Sequence, residues 1–127
     1  MSERVVTTTH LHLFRGGNRD EPRRPRTPQD IVTDEEGYVG PERGPMPDGL
    51  SLFGDPDQAP IRGHFHRLPA GTLLPTGIGL IADGADIDPD SPRSPTHHTL
   101  YPTTRMTFES FVELVMGLPW EYWGKKR

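Results

Sequence analysis

Apolar residues along this chain gather in short segments that are separated by runs of glycine, proline and charged residues. Residues 4–15 alternate and are rich in Val and Thr, which predicts a first strand with Leu11 and Leu13 on one face and His12 and Phe14 on the other. Later alternating segments predict strands at residues 49–53, 61–68 and 96–102, and two short apolar segments lie at residues 71–75 and 78–82.

One helix is predicted near the C-terminus, where apolar residues recur at helical spacing across residues 107–119. Thr107 is a suitable N-cap, and Gly117 with Pro119 two residues later marks the end of the helix. The apolar residues that follow are expected to close the core, and they are Leu118, Trp120, Tyr122 and Trp123.

A long segment rich in glycine and proline, residues 17–48, follows the first predicted strand. Glycine and proline interrupt helices and strands, and at this density they predict loops. One helical turn is predicted, from Pro28 to Val32. The 127 residues include 14 glycines and 15 prolines, and only 31% are hydrophobic. These values fit a single domain over residues 1–127 with one modest core, short strands and few helices.

Charge and cysteine content exclude several classes of protein. The formal net charge is −4, so bulk binding of nucleic acid through charge is not expected. The chain has no cysteine, which excludes disulfide bonds and thiolate zinc sites. No apolar run approaches the ~20 residues of a membrane span, and the first residues lack the basic-then-apolar pattern of a signal peptide. We therefore expect a protein that acts in a cytoplasm, or one that is exported without a cleaved signal.

The strongest single candidate for chemistry is Arg15, which ends the first predicted strand directly before Gly16 and Gly17. A guanidinium presents a planar fork of donors that matches a phosphate, and it keeps its charge at every physiological pH. Arg15 is therefore a candidate anion-binding residue. The other arginines of residues 19–26 are interpreted as the solvated face of a proline-broken loop.

Two His-x-His pairs, His10 with His12 and His64 with His66, are spaced so that both imidazoles of a pair share one face of a strand. The second pair is similar to the metal-binding pair of cupins, although no glutamate follows it at the cupin spacing. Two interpretations stay open here, a cupin-like metal-binding β domain and half-exposed strand histidines. The acidic segment 83–90 has the composition of a calcium loop without its terminal glutamate, and it is interpreted as a turn.

The order of these segments resembles one known family. An arginine ends the first strand, a serine with an aromatic residue two positions later follows the long loop, and a polar His/Thr strand comes later still. In this order the chain is similar to the small ADP-ribosyltransferase-like toxins of bacterial type VI secretion and polymorphic toxin systems. The resemblance implies an α+β fold with a split, mostly antiparallel β-sheet core and a C-terminal helix. It runs through residues 13–15, 28–32, 37–38, 49–53, 81–90 and 96–102 and the predicted helix.

The resemblance also implies a site for NAD, which such enzymes use as a substrate. Arg15 would hold the phosphates, and Ser51 would orient the nicotinamide ribose. Phe53 or Tyr38 would stack on the nicotinamide ring. His97 would bond the ribose or the acceptor, while the histidine after it points to the opposite face of the strand, and alternation alone does not choose between the two.

The implied function is that of a bacterial toxin that cleaves the nicotinamide–ribose bond in the cytoplasm of a target cell. The chain has no Glu-x-Glu motif, so both transfer of ADP-ribose to an acceptor and hydrolysis of NAD stay open. Asp83, Asp86 and Glu109 are the candidates for the catalytic acid. The resemblance further implies a cognate immunity protein that covers the mouth of the cleft. An interaction module without enzymatic activity is a further alternative.

Overall fold

The computed structural model describes residues 8–40, 48–59, 61–82 and 96–126. These ranges contain eight strands, one α-helix and a short 3₁₀ helix at Pro56–Gln58. In chain order the other elements are β1 (Leu13–Gly16), β2 (Tyr38–Val39), β3 (Leu50–Phe53), β4 (Gly63–Leu68), β5 (Ile78–Ala82), β6 (His97–Pro102), β7 (Met106–Thr107), α1 (Phe108–Met116) and β8 (Glu121–Lys126).

Six of the strands form one sheet in the order β5-β6-β3-β1-β4-β8, and each neighbouring pair is antiparallel. The sheet consists of two three-stranded halves, because β1 and β3 are in register at one pair only, Phe14 opposite Phe53. The antiparallel sheet and the short helix of the described ranges confirm the predicted α+β class. β3, β4, β5 and β6 each lie within a segment that the sequence marked as a strand or as apolar.

The two faces of the sheet bury different clusters, because neighbouring residues of a strand point to opposite faces. Leu13 and Leu52 face the main core, where they belong to the same cluster as Phe111 of α1. Phe14 and Phe53, the next residues of the same strands, belong to a smaller aromatic cluster. The two central strands are therefore held from both faces, which fixes the position of the residues that follow Phe14 and precede Phe53.

The helix α1 has the cap and the stop that its sequence predicts. The Thr107 hydroxyl accepts a hydrogen bond from the Ser110 backbone N–H at 3.1 Å, and Gly117 is the C-cap. Phe111 and Val115 are its buried residues, and both pack in the main core. Within the described ranges, no helix is long and apolar enough to span a bilayer.

The first strand is shorter than the sequence predicts. Within the described part of the predicted strand, only β1 belongs to the main sheet, and residues 4–7 lie outside the described residues. Thr8 forms an isolated antiparallel bridge with Leu73, and the Thr9 hydroxyl donates to the Pro69 carbonyl oxygen at 2.9 Å. A bend at His10 and Leu11 separates this bridge from β1, so the Val/Thr-rich composition overestimated the length of the strand.

The segment predicted as loop-rich, residues 17–48, contributes to the core. Its two-residue strand β2 pairs with β7, and Ile31 and Val39 are almost completely buried in the main cluster. The predicted helical turn from Pro28 to Val32 is only partly correct, because the structure has a single turn at residues 27–30, closed by a 2.9 Å hydrogen bond from the Asp30 N–H to the Arg26 carbonyl oxygen, and no helix follows it within residues 31–40. Isolated apolar residues among glycines and prolines give no periodicity, so their burial was not readable from the sequence.

The prediction that the last aromatic residues close the core is wrong for two of them. Leu118 is buried and Trp120 packs partly against the main cluster, but Tyr122 and Trp123 are about half exposed. Both lie on β8, an edge strand, and the Arg67 guanidinium lies 3.8 Å from the centre of the Trp123 ring. Edge strands expose their side chains readily, and a cation–π contact stabilises an aromatic residue that stays in water.

Thr107→Ala is expected to lower the free energy of unfolding by about 1 kcal/mol, because the Ser110 N–H loses its side-chain acceptor. Urea unfolding followed by circular dichroism measures the change. Thr104→Ala, at an exposed threonine in the preceding bend, is the control and is expected to stay within about 0.5 kcal/mol of the wild type. Equal losses in the two variants would contradict the capping role.

Candidate functional site

Arg15 is held at the end of β1 almost entirely out of solvent, with 6% of its surface exposed. Its Nε donates to the Arg23 carbonyl oxygen at 2.8 Å. One terminal nitrogen donates to the Ser51 carbonyl oxygen at 3.2 Å, and the other donates to the Asp30 carboxylate at 3.2 Å. The three partners belong to three separate segments, so this one guanidinium fixes the relative positions of the chain after β1, the turn at Asp30 and β3.

A cavity of about 210 Å³ opens beside this guanidinium. Four guanidinium groups and one carboxylate contribute to its lining, which leaves a clear excess of positive charge. Fixed guanidinium groups attract phosphate and carboxylate groups most strongly when water is partly excluded. The geometry therefore fits an anionic ligand. The lining residues are Arg15, Gly16, Arg23, Arg26, Asp30, Ser51, Phe53, Ile61 and Arg62.

The carboxylate in this lining, Asp30, is committed to two arginines. Its Oδ2 accepts from the Arg26 backbone N–H at 2.8 Å, from the Arg26 Nε at 3.1 Å and from Arg15 at 3.2 Å, and its Oδ1 accepts from Arg26 at 3.4 Å. Burial by itself raises the pKa of Asp30, but the hydrogen bonds from Arg26 and the charge of Arg15 outweigh it and lower the pKa below its usual value. The group is therefore an ionised counterion at neutral pH.

Burial has the largest effect on the pKa of Arg15 and lowers it, because a desolvated cation is less stable. Asp30 opposes this effect, and the charges of Arg23 and Arg26 add to it. An arginine stays protonated despite such a shift, since its ordinary pKa lies far above neutrality. The cavity therefore holds several permanent cations that are close together, and an anionic ligand would relieve their repulsion.

Three of the predicted site residues come together next to this cavity. Ser51 and Phe53 line it from β3, and β6 places His97 opposite Phe53. The His97 Nε2 lies 2.9 Å from the Ser51 hydroxyl oxygen, and the His97 ring meets the Phe53 ring edge-on with centroids 5.4 Å apart. His97 does not itself line the cavity, but it contacts these two side chains, which do. His98 has its Nδ1 2.7 Å from the Thr96 carbonyl oxygen instead.

Other predicted site residues lie elsewhere. Tyr38 is on β2, where the Arg105 guanidinium carbon lies 3.9 Å from the centre of its ring, and it does not line the cavity. Glu109 is exposed in the first turn of α1. The other candidate acids, Asp83 and Asp86, lie outside the described residues, as does the acidic segment to which they belong.

Sequence reasoning missed Asp30 and three of the four cavity arginines. Arg23 and Arg26 are exposed, as the interpretation of a solvated loop face requires, but they also line the cavity, so that interpretation was incomplete. The available signal was the spacing of Arg26 and Asp30, since an aspartate four residues on can accept from the backbone of a turn. Arg62, which directly precedes β4, carried no signal, because only the tertiary structure brings it to the chain after β1.

Within the described ranges, His64 and His66 have no third side chain nearby that would complete a metal site. The His66 Nε2 lies 2.7 Å from the Asn18 carbonyl oxygen, and the His64 Nδ1 lies 2.9 Å from the Tyr122 hydroxyl. Both imidazoles also pack against the ring of Tyr122. Among the described residues, no three His, Cys, Asp or Glu side chains are grouped so that they could hold a metal ion. The pair instead joins β4 to β8 and to the chain after β1.

Comparison with known proteins identifies one family. The family model described as Tse2 ADP-ribosyltransferase toxin matches residues 4–118 of the 127 residues. This match confirms the resemblance that the order of the sequence segments indicates. It covers each residue that lines the 210 Å³ cavity, and β8 lies beyond it. No curated protein matches the chain.

The lowered pKa of Asp30 gives a signed prediction for acid unfolding. A carboxyl with a lower pKa in the folded chain stabilises the fold fully above its unfolded pKa, at about 4, and this contribution is lost as the pH falls through the folded pKa. Asp30→Asn is therefore expected to lower stability at pH 7 by about 1–3 kcal/mol and to flatten the decline between about pH 5 and pH 2. Urea unfolding at successive pH values measures both effects.

Asp20→Asn is the matched control, because Asp20 is an exposed aspartate that does not line the cavity. It is expected to change stability at pH 7 by less than about 0.5 kcal/mol. If Asp30→Asn keeps the wild-type slope below pH 5, Asp30 is not the counterion that its contacts indicate.

Proposed function

Because the chain belongs to the Tse2 ADP-ribosyltransferase toxin family, we propose that it is a toxin that cleaves the nicotinamide–ribose bond of NAD. Membership of the family supports a toxin with ADP-ribosyltransferase-like activity, and enzymes of this class use NAD as a substrate. The observation that carries the finer proposal is the cationic cavity, with Arg15 at its side and Ser51 and Phe53 in its lining.

The charge of the cavity favours the pyrophosphate of NAD, which is a dianion. Arg15 engages one N–H of each of its three nitrogens, which leaves the second N–H of each terminal nitrogen for a phosphate oxygen. Arg23, Arg26 and Arg62 add further charge around the opening. Arginine is the side chain best suited to this task, since its fork binds two phosphate oxygens at once.

The size of the cavity favours one half of the dinucleotide as its occupant. Its volume of about 210 Å³ is smaller than the roughly 300–1,000 Å³ of most small-molecule sites. We assign it the nicotinamide riboside with the adjoining phosphate, because it contains both an aromatic residue, Phe53, and a hydroxyl, Ser51. The Phe53 ring would pack on nicotinamide, and the Ser51 hydroxyl would orient the ribose.

The proposed reaction breaks the bond between the ribose and the nicotinamide nitrogen. Nicotinamide leaves as a neutral molecule with the bonding electron pair, and positive charge develops on the ribose as the bond lengthens. An acceptor then forms the new bond to the ribose and releases a proton. The acceptor is a nucleophile on another molecule when ADP-ribose is transferred, and it is water when NAD is hydrolysed.

In this scheme His97 keeps the Ser51 hydroxyl in position through their 2.9 Å contact. Asp30 is unsuited to take up the proton, because both of its oxygens already accept hydrogen bonds from arginines. Arg15 contributes charge and position and undergoes no proton transfer. The described part of the site therefore supplies binding and orientation, which is how an enzyme favours a transition state in which positive charge moves onto the ribose.

We also propose that the toxin acts in the cytoplasm of a target cell, where NAD is available, and that a cognate immunity protein protects the cell that makes it. A protein that covers the mouth of the cavity would exclude NAD. The four arginines of the lining favour an acidic surface on such a partner, since complementary charge speeds association and fixes orientation.

Expression of the chain in a bacterium without a protective partner is expected to arrest growth, and the purified chain is expected to release nicotinamide from labelled NAD. Label on a macromolecule would indicate transfer, and free nicotinamide without such label would indicate hydrolysis.

Ser51→Ala is expected to lower nicotinamide release at least about tenfold, because the ribose loses an orienting hydroxyl.

Ser110→Ala is the matched control, since it removes a serine hydroxyl from an exposed position of α1 and leaves the cavity unchanged. It is expected to keep both growth arrest and nicotinamide release. Normal growth on expression of the folded wild-type chain would contradict the toxin proposal. Equal activity of wild type and Ser51→Ala would remove Ser51 from the site.

A further inference from the structure

The edge strand β8 (Glu121–Lys126) lies beyond residues 4–118, the part of the chain that the family model matches. It pairs with β4, and four of its six residues are exposed. Lys126 is partly buried. A lysine on an edge strand ordinarily keeps its ammonium in water, so the partial burial of this side chain calls for a physical reason.

The Lys126 ammonium binds two backbone oxygens of a segment that is distant in sequence. Its Nζ donates to the Pro56 carbonyl oxygen at 2.6 Å and to the Ala59 carbonyl oxygen at 3.2 Å. Both residues belong to the 3₁₀ turn after β3, which begins at Pro56 and has Ala59 as its C-cap. Hydrogen bonds from a charged donor are stronger than those between neutral groups, so the ammonium attaches this turn firmly to β8.

This turn is part of the connection between β3 and β4. Both strands run antiparallel to β1, which lies between them in the sheet, so the connection returns along β1 and covers one of its faces. Ile61 of the connection packs there in the same small aromatic cluster as Phe14, and Ala59 packs against that cluster. The connection also forms a wall of the cationic cavity, because Ile61 and Arg62 line it.

Lys126 holds this connection on both sides of the two lining residues. Its main chain is in register with Gly63, the first residue of β4 and the direct neighbour of Arg62. Its side chain reaches back to the 3₁₀ turn, where it holds Ala59. Ile61 and Arg62 lie between these two attachments, so a single residue of β8 constrains the wall that carries the Arg62 charge.

We propose that Lys126 is a positioning residue, which sets the affinity of the cavity for the pyrophosphate of NAD by holding the wall that carries Arg62. This inference rests on the proposed function, because it assigns that wall to the binding of the same substrate. Arg15 takes its partners from outside the connection, and Ser51 precedes it on β3. Loss of the ammonium is therefore expected to weaken binding more than it slows the breaking of the bond.

The start of β8 is attached independently of Lys126. The Arg67 Nε and one of its terminal nitrogens donate to the Glu121 carboxylate at 3.0 Å and 2.6 Å, and the guanidinium carbon of Arg67 lies 3.8 Å from the centre of the Trp123 ring. Removal of the Lys126 ammonium therefore leaves β8 on the sheet. A change in the cavity can then be assigned to the lost contacts with the connection.

Lys126→Met tests the assignment, because it keeps a long unbranched side chain and removes the ammonium. It is expected to raise the KM for NAD in nicotinamide release about fivefold and to leave kcat within about twofold of the wild type. Lys126→Arg retains a charged donor for the carbonyl oxygens and is expected to keep KM within about twofold of the wild type. General destabilisation would lower the active fraction, and with it kcat, at an unchanged KM.

Isothermal titration with inorganic pyrophosphate measures binding without turnover. Lys126→Met is expected to weaken pyrophosphate binding about fivefold, and to have less than a twofold effect in an Arg62→Gln background, because the charge that it positions is then absent. Lys125→Met is the matched control, since it removes the same charge from an exposed neighbour on β8 that does not line the cavity. It is expected to leave the pyrophosphate affinity within about twofold of the wild type.

The proposal is overturned if Lys126→Met leaves both KM and pyrophosphate affinity unchanged, if it lowers kcat alone, or if Lys125→Met has an equal effect. It is also overturned if Lys126→Met weakens binding equally with and without Arg62, because the ammonium then acts by some route other than this wall. The expected pyrophosphate pattern without nicotinamide release from the wild type would contradict the proposed reaction and leave the positioning role in place.

Discussion

The burial of the Arg15 guanidinium is the constraint on which the site depends. A buried cation costs free energy unless it has fixed polar partners, and each nitrogen of the Arg15 guanidinium has one, supplied by Arg23, Ser51 and Asp30. Because these partners belong to three segments, the segments must come together for the fold to accept the charge. Among the described side chains, no buried nitrogen or oxygen lacks a partner. The same residue therefore has a structural role and a role in the proposed binding of phosphate.

The cavity lies where the two halves of the sheet separate. Phe14 and Phe53 are the one registered pair between β1 and β3, and the ladder does not continue to Arg15, which follows on β1, or to Ser51, which precedes on β3. A continued ladder would supply a backbone N–H to the Ser51 carbonyl oxygen. Arg15 donates to this oxygen instead, so the guanidinium compensates for the separation that opens the cavity. This links the split of the sheet to the identity of one side chain.

The candidate site was only partly predictable from the sequence. Arg15, Ser51, Phe53 and His97 were named from strand ends, alternation and family resemblance, and the structure groups them. Asp30 was missed because its function as a counterion depends on Arg15, fifteen residues away. Tyr38 was named because it is aromatic and lies in a matching segment, but its ring packs under Arg105. Local patterns identify residue types suited to a task, whereas distances between segments are set by packing.

The sequence by itself determined the helix from its Thr107 cap to its Gly117 stop and three of the six strands in the main sheet, β3, β4 and β6. These features depend on periodicity and capping, which act over a few residues. Only the tertiary structure decided that the first strand begins at Leu13, that β8 completes the sheet edge and that Arg23, Arg26 and Arg62 meet around one cavity. Those outcomes depend on which distant segments satisfy one another's hydrogen bonds and charges, and no local pattern carries that information.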